Sequence, residues 1–298
     1  MAQLLDADYE EITSTSGSFS RYIYCIKQTV SVLKKRYSTV FVQNPSIVLS
    51  ALAVLLKPIF GYKLAIDAHN AGVRPKEGKN KLLQKLNLCI LKGADVVIVT
   101  NKPLQQLLND KGVTSCVMSD PLPTLKKAQS SDYSNFIFVV CSWAEDEPIE
   151  VYLDTAKQRP DINFVFSGNY KKRLKDKEIS ELPDNIILAG FVSEEEYVGL
   201  LKDALAVIDL TERDDCLVCG AYEAISATQK VILSDTRVNK ELFGNAAFYT
   251  KNSTTELKKS LDEALNTDIT SQIENFKTQY DSQLSDAKSK VLAILQAG

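Results

Sequence analysis

A single histidine, a single tryptophan and two methionines stand among the 298 residues. So little histidine leaves few ways to assemble a zinc centre or a histidine-dependent relay. Six cysteines are scattered along the chain, and the one close pair, Cys216 and Cys219, has no second pair and no neighbouring histidine. Packing thiols in a reducing compartment fit that pattern better than a metal or redox site, and no metal is expected. Neither sign of charge prevails: the formal charge is -3, which leaves no footprint for a polyanion and argues against nucleic acid as a partner. Long hydrophobic runs are missing too. The most apolar stretch, Ile47–Phe60, carries Lys57 and Pro58 and is too short to span a bilayer, so it reads as a buried helix. The opening Met1–Glu10 is polar and acidic, unlike a secretory leader, and the expectation is a cytoplasmic protein.

What is present is an ordinary globular composition, 45% hydrophobic and 24% charged, arranged as β-rich runs alternating with helical patterns. Strands are expected at Thr39–Gln43, Tyr62–Ala68, Asp95–Thr100 and Thr114–Met118, with a weaker one at Tyr9–Thr13. Helices fit Phe19–Arg36, Ser46–Leu56, Asn80–Lys92 and Pro103–Lys111. The Asp120–Pro123 segment and the small polar residues from Lys126 to Ser134 break the pattern and read as a linker. Alternation then resumes. Strands are expected at Phe136–Cys141, Ile162–Ser167, Asn185–Ala189, Ala206–Leu210, Lys230–Ser234 and Ala246–Tyr249, and a last helix runs over Ile269–Gln296. Strands alternating with helices imply parallel sheets, hence an α/β chain of two Rossmann-like domains, 1–125 and 126–268, followed by a helix at 269–298. Ligands of such folds sit at the carboxyl ends of the strands.

The strongest signal follows the strand Ala206–Leu210, where a charged loop, Thr211–Cys219, runs into a helix opening near Gly220. Helix-start amides at the positive end of the dipole form a natural phosphate seat, and Gly220 and Ala221 leave them open to a diphosphate. Glu223, placed in the first turn, has the chemistry to accept from a ribose diol, and Asp215 at the loop tip to accept from sugar hydroxyls. An acidic helix start beside a solvated charged loop is the ordinary alternative.

Asp215 and Glu223 resemble the E-x7-E motif of the family-4 glycosyltransferases, with Asp in place of the first Glu. Three more segments fit in order: Asp161–Gly168 resembles that family's strand ending in a glycine turn, Asn185–Ser193 its segment before the base pocket, and Ala224–Asp235 its following helix and strand. The resemblance spans about Tyr62 to Phe248. It implies a GT-B fold, two Rossmann-like domains with parallel sheets facing across a cleft, and metal-independent transfer with retention from a nucleotide sugar, UDP- or GDP-linked. No other cofactor is implied. By the same resemblance Glu223 binds the ribose, Asp215 the transferred sugar, the amides of Gly220, Ala221 and Tyr222 the diphosphate, Gly168 shapes its turn, and the backbone of Phe191 and Val192 flanks the base. His69, in Asp67-Ala-His-Asn, points toward the sugar, with Thr100 and Asn101 facing the same cleft.

Two departures stand out. Family members carry basic residues in the loop after the first strand of the second domain, where this chain has Ser142-Trp-Ala-Glu-Asp-Glu-Pro. Arg213 is the nearest substitute for stabilising the leaving group, ahead of Lys171–Arg173, which reads as a solvated helix start. The first domain also enters at what would be its second strand, through a flexible Thr13–Ser18 connection, so it is abbreviated or borrows an element from a partner chain. Three functions follow: a glycosyltransferase acting on a glycan or lipid-linked glycan acceptor in surface polysaccharide or glycoconjugate assembly, a catalytically weak GT-B-like partner subunit, and a sugar-nucleotide epimerase. Helix Ser46–Phe60 with Lys34–Arg36 also suits peripheral contact with the inner face of a membrane, against burial on the sheet.

Overall fold

Strand runs that are apolar at every position, such as Phe136–Val139 and Val96–Val99, bury both faces, as strands covered by helices on each side do. The computed structural model describes residues 1–15, 17–44 and 46–297, and the chain divides into two units, residues 1–121 with 282–298, and residues 122–281.

Unit 1 runs α1 (Ser18–Leu33), β1 (Thr39–Asn44), α2 (Ile47–Phe60), β2 (Lys63–Ala68), α3 (Asn70–Val73), α4 (Lys81–Leu91), β3 (Val96–Val99), α5 (Lys102–Asn109) and β4 (Ser115–Val117). The strands form a four-stranded parallel sheet in chain order, β1-β2-β3-β4. Leu64, Ile66, Val97 and Val99 on its central strands pack with Leu33, Val42, Ala53, Leu104 and Leu108. Tyr9–Thr13 is not a strand: Tyr9, Glu10, Glu11 and Thr13 are exposed, so the segment has no apolar face to bury. Gly17 caps α1, while Ser16 of the Thr13–Ser18 connection lies outside the described residues. Helix α2 continues through Pro58 to Phe60 and is only partly buried, leaving Leu55 and Ile59 70% and 64% exposed.

Unit 2 runs β5 (Phe136–Val139), α6 (Ile149–Lys157), β6 (Asn163–Ser167), α7 (Asp176–Ser180), β7 (Ile186–Gly190), α8 (Glu194–Asp203), β8 (Ala206–Asp209), α9 (Cys219–Ser226), β9 (Val231–Ser234), α10 (Arg237–Phe243), β10 (Phe248–Thr250) and α11 (Thr254–Asn266). Its six-stranded parallel sheet is ordered β10-β9-β8-β5-β6-β7. The chain winds outward from β5 through β6 to β7, then returns to place β8 on the other side of β5. That reversal between β5 and β8 is a topological switch point, where the two following loops diverge and open a crevice. Helix α12 (Thr270–Ala297) starts in unit 2, where Phe276 and Tyr280 stack on each other and meet Phe243 and Tyr222, and its residues from Ser282 onward belong to unit 1.

No disulfide joins the cysteines among the described residues, and of these only Cys116 and Cys141 are buried. Cys89 and Cys219 are exposed, so the packing role expected of the cysteines holds for some and not for these. No helix among the described residues is long and apolar enough to cross a membrane.

Candidate active site at the carboxyl edges of the two sheets

In unit 2 the loops after β5 and β8 flank the switch point. The β8 loop is pinned at its base. The buried Tyr152 hydroxyl of α6 accepts from Leu210 N–H at 2.8 Å and lies 3.1 Å from Leu210 O, and Ser234 Oγ accepts from Thr211 N–H at 2.9 Å. It is tied to the β5 loop through Asp146, which holds Thr211 Oγ1 at 3.1 Å, accepts Glu212 N–H on its carbonyl at 2.7 Å, and pairs with Arg213 at 3.3 Å. Arg213 is therefore already engaged by a carboxylate. Asp215 follows in the same loop, half-buried.

Helix α9 opens at Cys219 with Val218 as N-cap and no side-chain cap. Glu223 is its fifth residue and so lies on the second turn, one turn further in than expected. Its Oε2 accepts the Tyr197 hydroxyl of α8 at 2.5 Å. Burial and the Glu223 charge push the Tyr197 phenol well up, so it stays a donor and fixes the carboxylate. The Gly220 N–H, expected to face a phosphate, donates at 2.9 Å to Oδ2 of Asp209, the last residue of β8. A Cβ on Gly220 would stand 2.5 Å from that oxygen and 2.9 Å from Val140 Cγ1. The glycine thus makes room for the chain itself. Burial, with Glu147, Glu223 and Asp146 close by, raises Asp209 far above the usual carboxylate range.

The β5 loop is held from the other side. Gly168 sits in the left-handed region, φ 81°, and donates its N–H to Gly190 O at 2.8 Å; a Cβ on it would meet Cys141 O at 2.0 Å. Trp143 is buried, with its indole N–H donating to Ser167 O at 2.8 Å. The turn at Gly190 leads into Phe191, 84% exposed, and half-buried Val192 just before α8. A polar hollow of about 230 Å³ lies along the ends of β8, β9 and β10, bounded by Thr211, Glu212, Asp214, Ser234, Asp235 and Asn252. A larger one of about 450 Å³ lies at the β7 edge away from the switch point.

In unit 1 the carboxyl edge collects Asp67 and His69 after β2, Thr100 and Asn101 after β3, and Ser119 and Asp120 after β4. His69 Nε2 lies 3.3 Å from Asp67 Oδ1 and 3.6 Å from Asp120 Oδ1. These approaches are misaligned for hydrogen bonds, since Nε2 is buried without one, and their attraction grows with the imidazole's charge. The Asp67 carboxylate, helped by Asp120 and opposed by burial, raises the His69 pKa. Burial, together with Asp67, raises that of Asp120, against the pull of His69. Asn101 caps α5, accepting Leu104 N–H at 3.1 Å, and Thr100 O accepts the Ser119 hydroxyl at 2.9 Å.

Asp120 was read as linker, Glu147 as part of an acidic loop, and Asp209 and Tyr197 as parts of elements. Only Asp209 carried a local signal, a charge ending an apolar strand. Lys171, Lys172 and Arg173 are all exposed, and Lys172 reaches back to Ser142 O at 3.0 Å. Among the described residues no group of three or more His, Cys, Asp or Glu side chains has the geometry to hold a metal.

None of the curated proteins matches the chain. Solved structures do. A chain of the GtfA/B complex shares 10% identity over 92% of this chain, with a TM-score of 0.62, and this chain spans 60% of its length. Anabaena Alr3699/HepE, solved with UDP-glucose, shares 11% identity over 91% of this chain and 82% of its own, with a TM-score of 0.70. A Listeria monocytogenes putative UDP-N-acetylglucosamine 2-epimerase shares 14% identity, over 99% and 85% of the two chains, at 0.61. These likenesses show the fold, which is GT-B. The sequence family described as Glycosyl transferases group 1 matches residues 125–279, more than half of the chain and nearly all of unit 2. The chain belongs to the group 1 glycosyltransferases.

Proposed function

We propose that this glycosyltransferase takes its sugar from a nucleotide donor bound by unit 2 at the β5/β8 switch point. The observation that carries the reading is Glu223 held by Tyr197 on the helix that follows β8, inside the segment that matches the family. There Glu223 takes the ribose hydroxyls and Asp215 the sugar, the backbone of Phe191 and Val192 lies along a uracil or guanine, and α9 amides at Ala221 and Tyr222 face the diphosphate beyond Gly220. An acceptor hydroxyl attacks the anomeric carbon as the bond to the diphosphate breaks. Its proton passes to a phosphate oxygen of the leaving nucleotide, and configuration is retained. Arg213 stabilises that leaving charge once it parts from Asp146. His69, whose pKa the neighbouring Asp67 carboxylate raises, donates to the sugar or acceptor.

The acceptor we assign is a glycan or lipid-linked glycan of surface polysaccharide or glycoconjugate assembly. Unit 1 carries an excess of Lys and Arg and exposes Leu55 and Ile59, which suits an anionic membrane at its cytoplasmic face. A second reading, a weakly catalytic partner subunit, is favoured by the Asp209 and Asp146 carboxylates that already engage Gly220 and Arg213.

A thermal-shift screen with UDP, GDP, ADP, CMP and their sugars separates the two. Ligand at about 100 times its Kd adds roughly 2.7 kcal/mol of stability, so the transferase shows a shift with one base that Glu223→Ala abolishes. No shift with any of them points to the partner subunit.

A further inference from the structure

The loop after β5 holds a feature that the donor reading leaves unused. Trp143 adopts a left-handed backbone, φ 61°, uncommon for a bulky side chain. Its flanking residues Ser142 and Ala144 then aim their N–H groups at one point, a concavity of the kind that binds anions. Glu147 fills that point. Its Oε1 accepts Ser142 N–H at 3.0 Å and the Ser142 hydroxyl at 2.7 Å. Its Oε2 accepts Ala144 N–H at 3.1 Å, Ser142 N–H at 3.1 Å and the Cys141 thiol at 3.1 Å. One carboxylate thus gathers four donors of the loop that follows β5, at the switch point. A phosphorylated donor seated there meets this carboxylate; the loop has no basic residue of its own between Cys141 and Pro148, and Lys172 approaches it from outside, on Ser142 O at 3.0 Å.

We propose that Glu147 is a specificity-determining residue of the donor site: its carboxylate occupies the loop's anion seat, and a nucleoside diphosphate enters only by displacing it. The proposal rests on the donor reading of the same crevice. Two carboxylate oxygens on two amides mimic a phosphate edge, so the loop keeps its shape while empty. The cost of displacement falls on the phosphates of the ligand and not on its base. A donor repays it only with further contacts, which makes Glu147 a filter against weakly held diphosphates.

The test is isothermal titration of the full chain with UDP and GDP, and with uridine and guanosine, for wild type and Glu147→Gln. Glutamine keeps an acceptor for the amides and removes the charge. The expected result is binding of the diphosphate tightened about tenfold, with the nucleoside unchanged, as one removed like charge near a phosphate warrants. Unchanged or weaker diphosphate binding by a folded Glu147→Gln protein overturns the proposal, as does an equal gain for the nucleoside. Should that variant fail to fold, Ser142→Ala serves. It removes only the 2.7 Å hydroxyl bond that holds Oε1, and about threefold tighter diphosphate binding is expected. No gain there is equally decisive against the proposal. Equal diphosphate binding across all variants removes the role of Glu147 alone, whereas no nucleotide binding by any of them removes the donor reading with it.

Discussion

The carboxyl edges of the two sheets are built on different physics. In unit 2 the crevice is fixed by backbone and by internally hydrogen-bonded groups: Gly168 on Gly190, Gly220 on Asp209, Trp143 on Ser167, and Tyr197 on Glu223. In unit 1 the edge is fixed around one imidazole between two carboxylates, Asp67 and Asp120. Close packing around backbone responds to steric change, whereas a charge cluster responds to protons and salt. A transferase gains from both kinds: a preorganised seat for the donor and a group whose charge tracks conditions.

The comparison breaks most visibly at Gly168. Alanine there faces a left-handed backbone and a carbonyl 2.0 Å from its Cβ, and we expect a loss of about 3 kcal/mol, on the order of 10 °C in melting temperature. A thermal melt unchanged by Gly168→Ala would show that the β5 and β6 loops are not locked together. Tyr197→Phe is the intermediate case. It removes the hydroxyl on Glu223 and is expected to cost about 1 kcal/mol in chemical denaturation, with nucleotide affinity reduced several-fold. Full affinity in that variant would mean that Glu223 needs no orienting partner.

The smallest effect belongs to unit 1 and is read against pH. His69 has a raised folded pKa, so its contribution is fully present below the ordinary imidazole value of 6.5 and is lost as pH rises through the folded value. Asp120 is raised from 3.8 and acts in the same direction over the acidic range. Wild type should therefore exceed His69→Asn in melting temperature most clearly below pH 6.5, with the gap closing above it. A gap constant from pH 5 to 9 would show that the histidine acts by packing alone.

The alternating α/β architecture was legible because buried parallel strands are apolar throughout and helices between them keep their period, as Val96–Val99 and Lys81–Leu91 illustrate. Tyr9–Thr13 misled because β-prone residues without a buried face do not make a strand. The neighbourhood of Asp215 and Glu223 was legible because motif and helix start coincide in one continuous segment. His69 was visible as the lone histidine past an apolar strand, but Asp120, 51 residues later, meets it only through the β2-β3-β4 order. Glu147 looked like part of an acidic loop. Its role depends on the left-handed turn at Trp143, which local composition does not announce, since bulky residues rarely take it.

The most direct test of the central claim is hydrogen–deuterium exchange on the full chain with and without the nucleotide that stabilises it. A donor seated at the β5/β8 switch point predicts slowed exchange in residues 140–148, 191–193 and 211–223, with β1 and β2 of unit 1 unaffected. Protection absent from those three segments while the nucleotide is bound would contradict the assignment of the donor site to unit 2.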